Sequence, residues 1–284
     1  MSETVERAYL VVVAWPPVMD HEARAAAIEY SIAQPKGMCA TLARKDAPCV
    51  LTVGPREQIR EAARNLRKAG VPAMYPTRHD LAEVAATFRC KQLIPAIGAD
   101  EPLYMCEPWG KRAEARGLNL RQVRLIVKGR IKRSRTESTF DTPVNQMGGM
   151  GFGPAMIDAH LMGSSSNATR RSEPIADVMD LYTDEGSGLR IDGSHFNFDL
   201  LGDGKGRTDG ENMTRLATML SEQAPLASMD LNFPKFSIPP GVVMSKTSGS
   251  GAMSIQREDE GPAFDFYSAL MCLIDRAMRR AGRK

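Results

Sequence analysis

The sequence predicts an α+β protein. A small α/β module occupies about residues 1–89, and a mostly antiparallel β module closed by a helix occupies 90–233. A linker over 234–261 and a C-terminal amphipathic helix over 262–284 follow. Three observations carry this. Short β-branched runs alternate with helical stripes through the first module. From Cys90 the apolar pattern changes to period two. In the last segment, Phe264, Tyr267, Leu270, Met271, Ile274 and Met278 fall on one helical face.

The elements are justified in order. AYLVVVAW, residues 8–15, is β-branched and aromatic and ends at Pro16–Pro17, which reads as a buried strand. DHEARAAAIEYSIAQ reads as a helix with Asp20 as N-cap and with Pro35 and Gly37 as its stop. APCVLTVG, 47–54, is a second strand. The next helix has Pro55 in its first turn, Gly70 at its C-cap, and one stripe of Ile59, Ala62, Ala63 and Leu66. VPAMYPT is a third strand, and HDLAEVAATF a further helix.

In the second module, KQLIPAIG and EPLYMCEPW read as strands. RQVRLIVKGRI alternates between faces, with Gly129 as a bulge or bend. DVMDLYTDEGSGLRIDGSHFNFDLL reads as a hairpin turning at DEGSG. Thr208 followed by Glu211 is a capping-box signature for the closing helix, whose buried stripe is Met213, Leu216, Ala217 and Leu220. Between these lies 135–174, rich in Gly, Ser and Met with little periodicity; it reads as a long loop. Met147, Met150, Phe152, Met156 and Met162 make that loop a candidate docking segment.

The helix end LRKAGVPA leading into a strand resembles ferredoxin-like modules. The order of several antiparallel strands and one closing helix over about 90–225 resembles a pleckstrin-homology-like arrangement, which a small split barrel or another α+β sheet would match equally. The combination resembles bacterial proteins with no assigned activity. These resemblances rest on element order and transfer no functional residue to this chain.

Net charge is only +3, so anion binding would have to come from local clustering. Between Lys111 and Arg135 there are ten Lys or Arg and one acid, Glu114. Arg121, Arg124, Lys128, Arg130, Lys132, Arg133 and Arg135 are therefore the candidate basic patch. Three readings stand: a solvated sheet edge, an acidic protein partner, or nucleic acid or acidic lipid. No aromatic residues are interleaved there for base stacking.

No catalytic residue is assigned. His195 has Asp192 and Asp199 nearby in sequence, but Asp192 is three residues away, an odd spacing that places strand neighbours on opposite faces. GGMGFG lacks the Lys-Ser/Thr of a phosphate loop. In GDGKGRTDGEN, Lys205 and Arg207 stand where a calcium loop needs oxygens. Cys39, Cys49, Cys90, Cys106 and Cys272 include no C-x-x-C pair, and the four histidines are scattered. No metal and no cofactor is expected, and reduced thiols suit the cytoplasm. AYLVVVAW is too short to span a bilayer and no basic segment precedes it, so neither signal peptide nor membrane span is expected.

The expected function is a non-catalytic binding or scaffold protein that assembles with itself or with a protein partner. The C-terminal helix, through Phe264, Tyr267, Leu270, Met271, Ile274 and Met278, would be its contact element. The alternative is an anion-binding module for nucleic acid or acidic lipid acting through 111–135.

Overall fold

The computed structural model describes residues 6–96, 102–110, 113–139, 167–172, 175–184, 188–239, 242, 244–248 and 253–282. For the strands within 133–139, 167–172, 244–248 and 253–258 it is the backbone that is described. The chain is α+β, with mostly antiparallel sheets and a C-terminal helix.

The first sheet is built from β1 (Arg7–Val12), β2 (Cys49–Pro55) and β3 (Ala73–Met74) in the order β2-β1-β3, all antiparallel. It has three strands where a β-α-β-β-α-β ferredoxin-like module has four. Helices α1 (His21–Ser31), α2 (Lys36–Ala43) and α3 (Arg56–Lys68) cover one face, burying Leu10, Val12, Ile28, Leu42, Leu51, Ile59 and Leu66 together. The local signals act as their chemistry requires. Asp20 accepts the Ala23 N–H at 2.8 Å, and Gly70 leaves α3 at φ +80°, a left-handed conformation that glycine adopts without strain. α2 was not expected. Pro35 fixes φ at −57° and starts this helix instead of merely ending the previous one. α4 (Arg78–Val84) follows β3 and is held by a reciprocal capping box between Thr77 and Asp80.

The second sheet has seven strands: β4 (Phe88–Pro95), β5 (Leu103–Pro108), β6 (Arg116–Asn119), β7 (Val123–Ile131), β10 (Ala176–Thr183), β11 (Gly188–Asp192) and β12 (Ser228–Asp230). Their order is β12-β7-β10-β11-β4-β5-β6, with β12–β7 and β11–β4 parallel. α5 (Asp209–Gln223) packs on one face, over Phe88, Val123, Ile126, Met179, Leu181 and Ile191. Thr208 accepts the Glu211 N–H at 3.2 Å, while the Glu211 carboxylate accepts from Arg207.

β8 (Arg133–Thr139) and β9 (Asn167–Ser172) occur within the stretch expected to be one long loop, and β13 (Met244–Ser248) and β14 (Met253–Asp259) within the expected linker. They form a third, four-stranded antiparallel sheet in the order β13-β14-β8-β9. β8 follows β7 after Lys132 and pairs with β9 in the third sheet, as β7 pairs with β10 in the second.

α6 (Gly261–Gly282) lies between the first and second sheets. One shared core joins Tyr9, Val11 and Val50 of the first sheet, Leu125, Val127, Val178 and Tyr182 of the second, and Phe264, Phe266, Tyr267, Leu270 and Ile274 of the helix. Gly129 is neither bulge nor bend. It makes room for α6, because a Cβ there would stand 2.5 Å from the Phe264 ring and 2.9 Å from Phe233. Polar links reinforce the same layer. Arg190 grips Asp180 through two 2.7 Å hydrogen bonds and also reaches Asp265 of α6, while the hydroxyls of Tyr182 and Ser268 stand 2.8 Å apart.

Candidate binding cleft beside an edge strand

β2 is the outermost strand of the first sheet, and among the described residues β1 is its one strand partner. A cleft of about 480 Å³ runs along its open side, lined by four consecutive β2 residues, Val50, Leu51, Thr52 and Val53. α2 forms one wall with Met38, Thr41 and Leu42, and Lys45 lies just past its C-terminal end. Tyr9, Arg7, Arg78, Ile238 and Pro239 form the other. The geometry follows from local structure. α2 buries Cys39, Leu42 and Ala43 against the sheet, which leaves Met38 half exposed beside the cleft. Alternation along β1 sends Arg7 and Tyr9 to the opposite side of the sheet from Ala8 and Leu10. A register shift between Leu10 and Val11 leaves Leu51 as the extra residue of a β-bulge.

The β2 stretch is mostly apolar, and among the described residues the lining has three cations, Arg7, Lys45 and Arg78, and no acid. No ion pair among the described residues neutralises any of the three. The nearby thiol of Cys49 is pushed up to about 11, first by burial, so it stays protonated at neutral pH and is no nucleophile. This arrangement can hold an anion with an apolar body, and it presents no group poised for bond making.

A second cleft of about 470 Å³ lies where the first sheet meets Asn232, Lys235, Phe236 and Tyr267. It differs in charge. Asp46 stands among its cations, Arg24 lies over the Trp15 ring, and Tyr267 donates to Asp230.

The candidate basic patch is not one surface. β7 is the second strand of its sheet, flanked by β12 and β10, so it is not a solvated edge. Arg124 binds Asp184, which also takes Arg279, and the Asp184 carboxyl is held below the ordinary carboxylate value chiefly by the Arg124 hydrogen bonds. Lys128 donates to Thr214 of α5, and burial draws its pKa down. Arg130 pairs with Asp177. Arg121 is exposed in the short helical turn that precedes β7. The Lys132 side chain is exposed and its backbone N–H bonds Glu260. Arg133 and Arg135 lie on β8. Arg133 stands opposite Asp259 in the register, and Arg135 opposite both Arg257 and Arg171.

The terminal helix is corrected as a docking element. Phe264, Tyr267, Leu270 and Ile274 are buried in the chain's own core, Met271 packs partly buried against it, and Met278 is the one residue of that stripe left exposed. The stripe was read properly, but its partner is the two sheets. The methionine-rich segment of Met147, Met150, Phe152, Met156 and Met162 lies outside the described residues.

Other sequence candidates resolve simply. All five cysteines are buried free thiols. His195 lies in the turn after β11 and stacks on Trp109 with ring centroids 4.4 Å apart. Among the described residues no group of His, Cys, Asp and Glu could hold a metal ion, and no helix is long and apolar enough to cross a membrane. The cleft itself was missed because it joins β1, α2, β2, α4 and residues 238–239. The one signal available was Met38, an apolar residue on a short amphipathic segment. Comparison with protein-family models, curated proteins and solved structures found no match.

Proposed function

We propose that the chain is a non-catalytic binding protein and that the cleft beside β2 takes an anionic, partly apolar group of a protein partner. One observation carries this reading: among the described residues Arg7, Lys45 and Arg78 stand beside mostly apolar β2 side chains with no acid in the lining. Cations left without partners beside apolar surface gain more from an apolar anion than from water alone, because the apolar body dehydrates the pairing. A reducing compartment such as the cytoplasm fits the five thiols. Calorimetric titration of the intact protein with decanoate, a carboxylate on an apolar chain, tests the reading. One saturable site should appear, weakened at least tenfold in the R7E/K45E/R78E variant. No saturable site, or equal affinity in the variant, would overturn it.

A second reading is favoured by the register of the third sheet. Lys246 stands opposite Arg257, Arg257 opposite Arg135, and Arg135 opposite Arg171, so four basic positions form one line across four strands. Such a line of basic register positions suits a polyanion, nucleic acid or acidic lipid. Binding to a 20-base-pair DNA duplex should then weaken with salt, with a log–log slope of about −3 to −4 for four neutralised phosphates. No binding to this duplex or to phosphatidylserine vesicles at low salt would remove this reading.

A further inference from the structure

We infer that the occupant of the β2 cleft is an extended acidic segment of a partner protein that adds to β2 as a further strand; the inference rests on the binding role proposed for that cleft. The reasoning begins with the backbone. An outermost strand carries a row of N–H and C=O groups on its open side, and an extended peptide satisfies them by continuing the sheet. Among the described residues β2 pairs with β1 alone, and Val50, Leu51, Thr52 and Val53 line the cleft in succession. A ligand seated there meets the backbone edge and not a side-chain surface alone.

The walls fit the side chains of such a strand. Successive residues of an added strand point to opposite faces. One set would meet Met38, Thr41 and Leu42, with Lys45 at the end of α2. The other would meet Tyr9, Ile238 and Pro239, with Arg7 and Arg78 beside them. Each wall offers apolar surface and a cation, so the matching segment mixes aliphatic and acidic residues on both faces. Four β2 residues span about 13 Å, so about four residues of the ligand would pair.

Charge also selects the occupant. A second copy of this chain, pairing β2 with β2, would bring Arg7, Lys45 and Arg78 of both copies together. Charges beside an open strand are a common protection against such self-pairing, and the bulge at Leu51 adds to it. The same cations attract a strand that carries carboxylates. Self-pairing is disfavoured and an acidic partner strand is admitted.

The test uses fluorescence anisotropy of the full chain with a labelled octapeptide repeating Val-Val-Glu-Glu, which puts both residue types on each face of the strand. Two comparisons accompany it: the same peptide N-methylated at alternate residues, and one with lysine in place of glutamate. N-methylation removes backbone donors along one edge and leaves charge and apolar area in place. Strand addition predicts saturable binding of the glutamate peptide, at least fivefold weaker binding when N-methylated, and no saturable binding of the lysine peptide. An N-methylated peptide weakened less than fivefold, or a lysine peptide that binds as well, would overturn strand addition. Decanoate binding without peptide binding would also overturn it while leaving the cleft an anion site. Failure of both decanoate and peptide would remove the cleft's binding role as well.

Discussion

Replacing Phe264 with alanine separates a helix that holds the protein together from one that reaches for a partner. The Phe264 side chain is fully buried. Its ring lies edge-on to Phe233 at 5.2 Å, and the Arg190 guanidinium lies 5.2 Å from its centroid. Truncating a buried phenylalanine costs about 3–5 kcal/mol. The lost aromatic pair, worth about 0.5–1.5 kcal/mol beyond area, places this site toward the upper end. Domain stabilities are about 5–15 kcal/mol, so the variant should fold only marginally. The assay is urea unfolding followed by circular dichroism. With a slope near the upper end of about 1–3 kcal/mol per molar, the midpoint should fall by more than about 1 M. Removing 261–284 altogether should leave a chain that does not fold, because both sheets lose the layer between them. A midpoint unchanged for F264A, with an altered assembly state, would refute this placement of α6.

Further predictions follow from the same layer and its rim. G129A should cost about 1–3 kcal/mol, since the new methyl group meets the Phe264 ring at 2.5 Å; in the F264A background the same change should cost much less, as a double-mutant cycle would read. R190M should cost about 3–5 kcal/mol because it strands the fully buried Asp180 carboxylate, whereas D180L/R190M should recover most of that loss, measured by urea midpoints. For Asp184, the folded carboxyl titrates below the ordinary 3.8, so its stabilisation is present above that value and is lost as pH falls through the folded one. The side chain is 40% exposed, so solvent-screened pairing of about 0.2–1 kcal/mol applies; D184N should lose that much at pH 7 and converge with wild type as pH falls below the folded value in acid titrations of stability.

What was legible in the sequence is mostly what acts locally. Asp20, Gly70 and Thr208 mark helix ends because caps work through bonds to backbone a few residues away. The hairpin around DEGSG was legible because turn-forming residues separate two β-rich runs, and β10 and β11 pair in direct succession. α2 was not, because Pro35 and Gly37 are as compatible with starting a helix as with stopping one, and burial of Cys39 and Leu42 decides it. β8, β9, β13 and β14 are polar and lack an apolar alternation, so their sequences hold no strand signal of their own; pairing across the third sheet supplies it.

Long-range placement explains the two larger differences. The stripe of α6 is plain in the sequence, but period and polarity state only that a face is buried, not against what. Likewise Arg124 and Arg130 look like surface charge until β10 brings Asp177 and, just past its end, Asp184 alongside. The cleft gathers Arg7, Lys45 and Arg78 from segments up to about 70 residues apart, so no spacing rule could group them. Its position beside an outermost strand is a property of strand order, which local patterns do not encode.

The most direct measurement is two-dimensional amide NMR on the labelled protein, titrated with the valine–glutamate octapeptide and followed by hydrogen exchange. The amides of Val50, Leu51, Thr52 and Val53 should shift most and exchange more slowly when the peptide is bound. If those four are unmoved while the peptide perturbs another edge, such as Leu226–Leu231 at β12, the partner does not dock along β2.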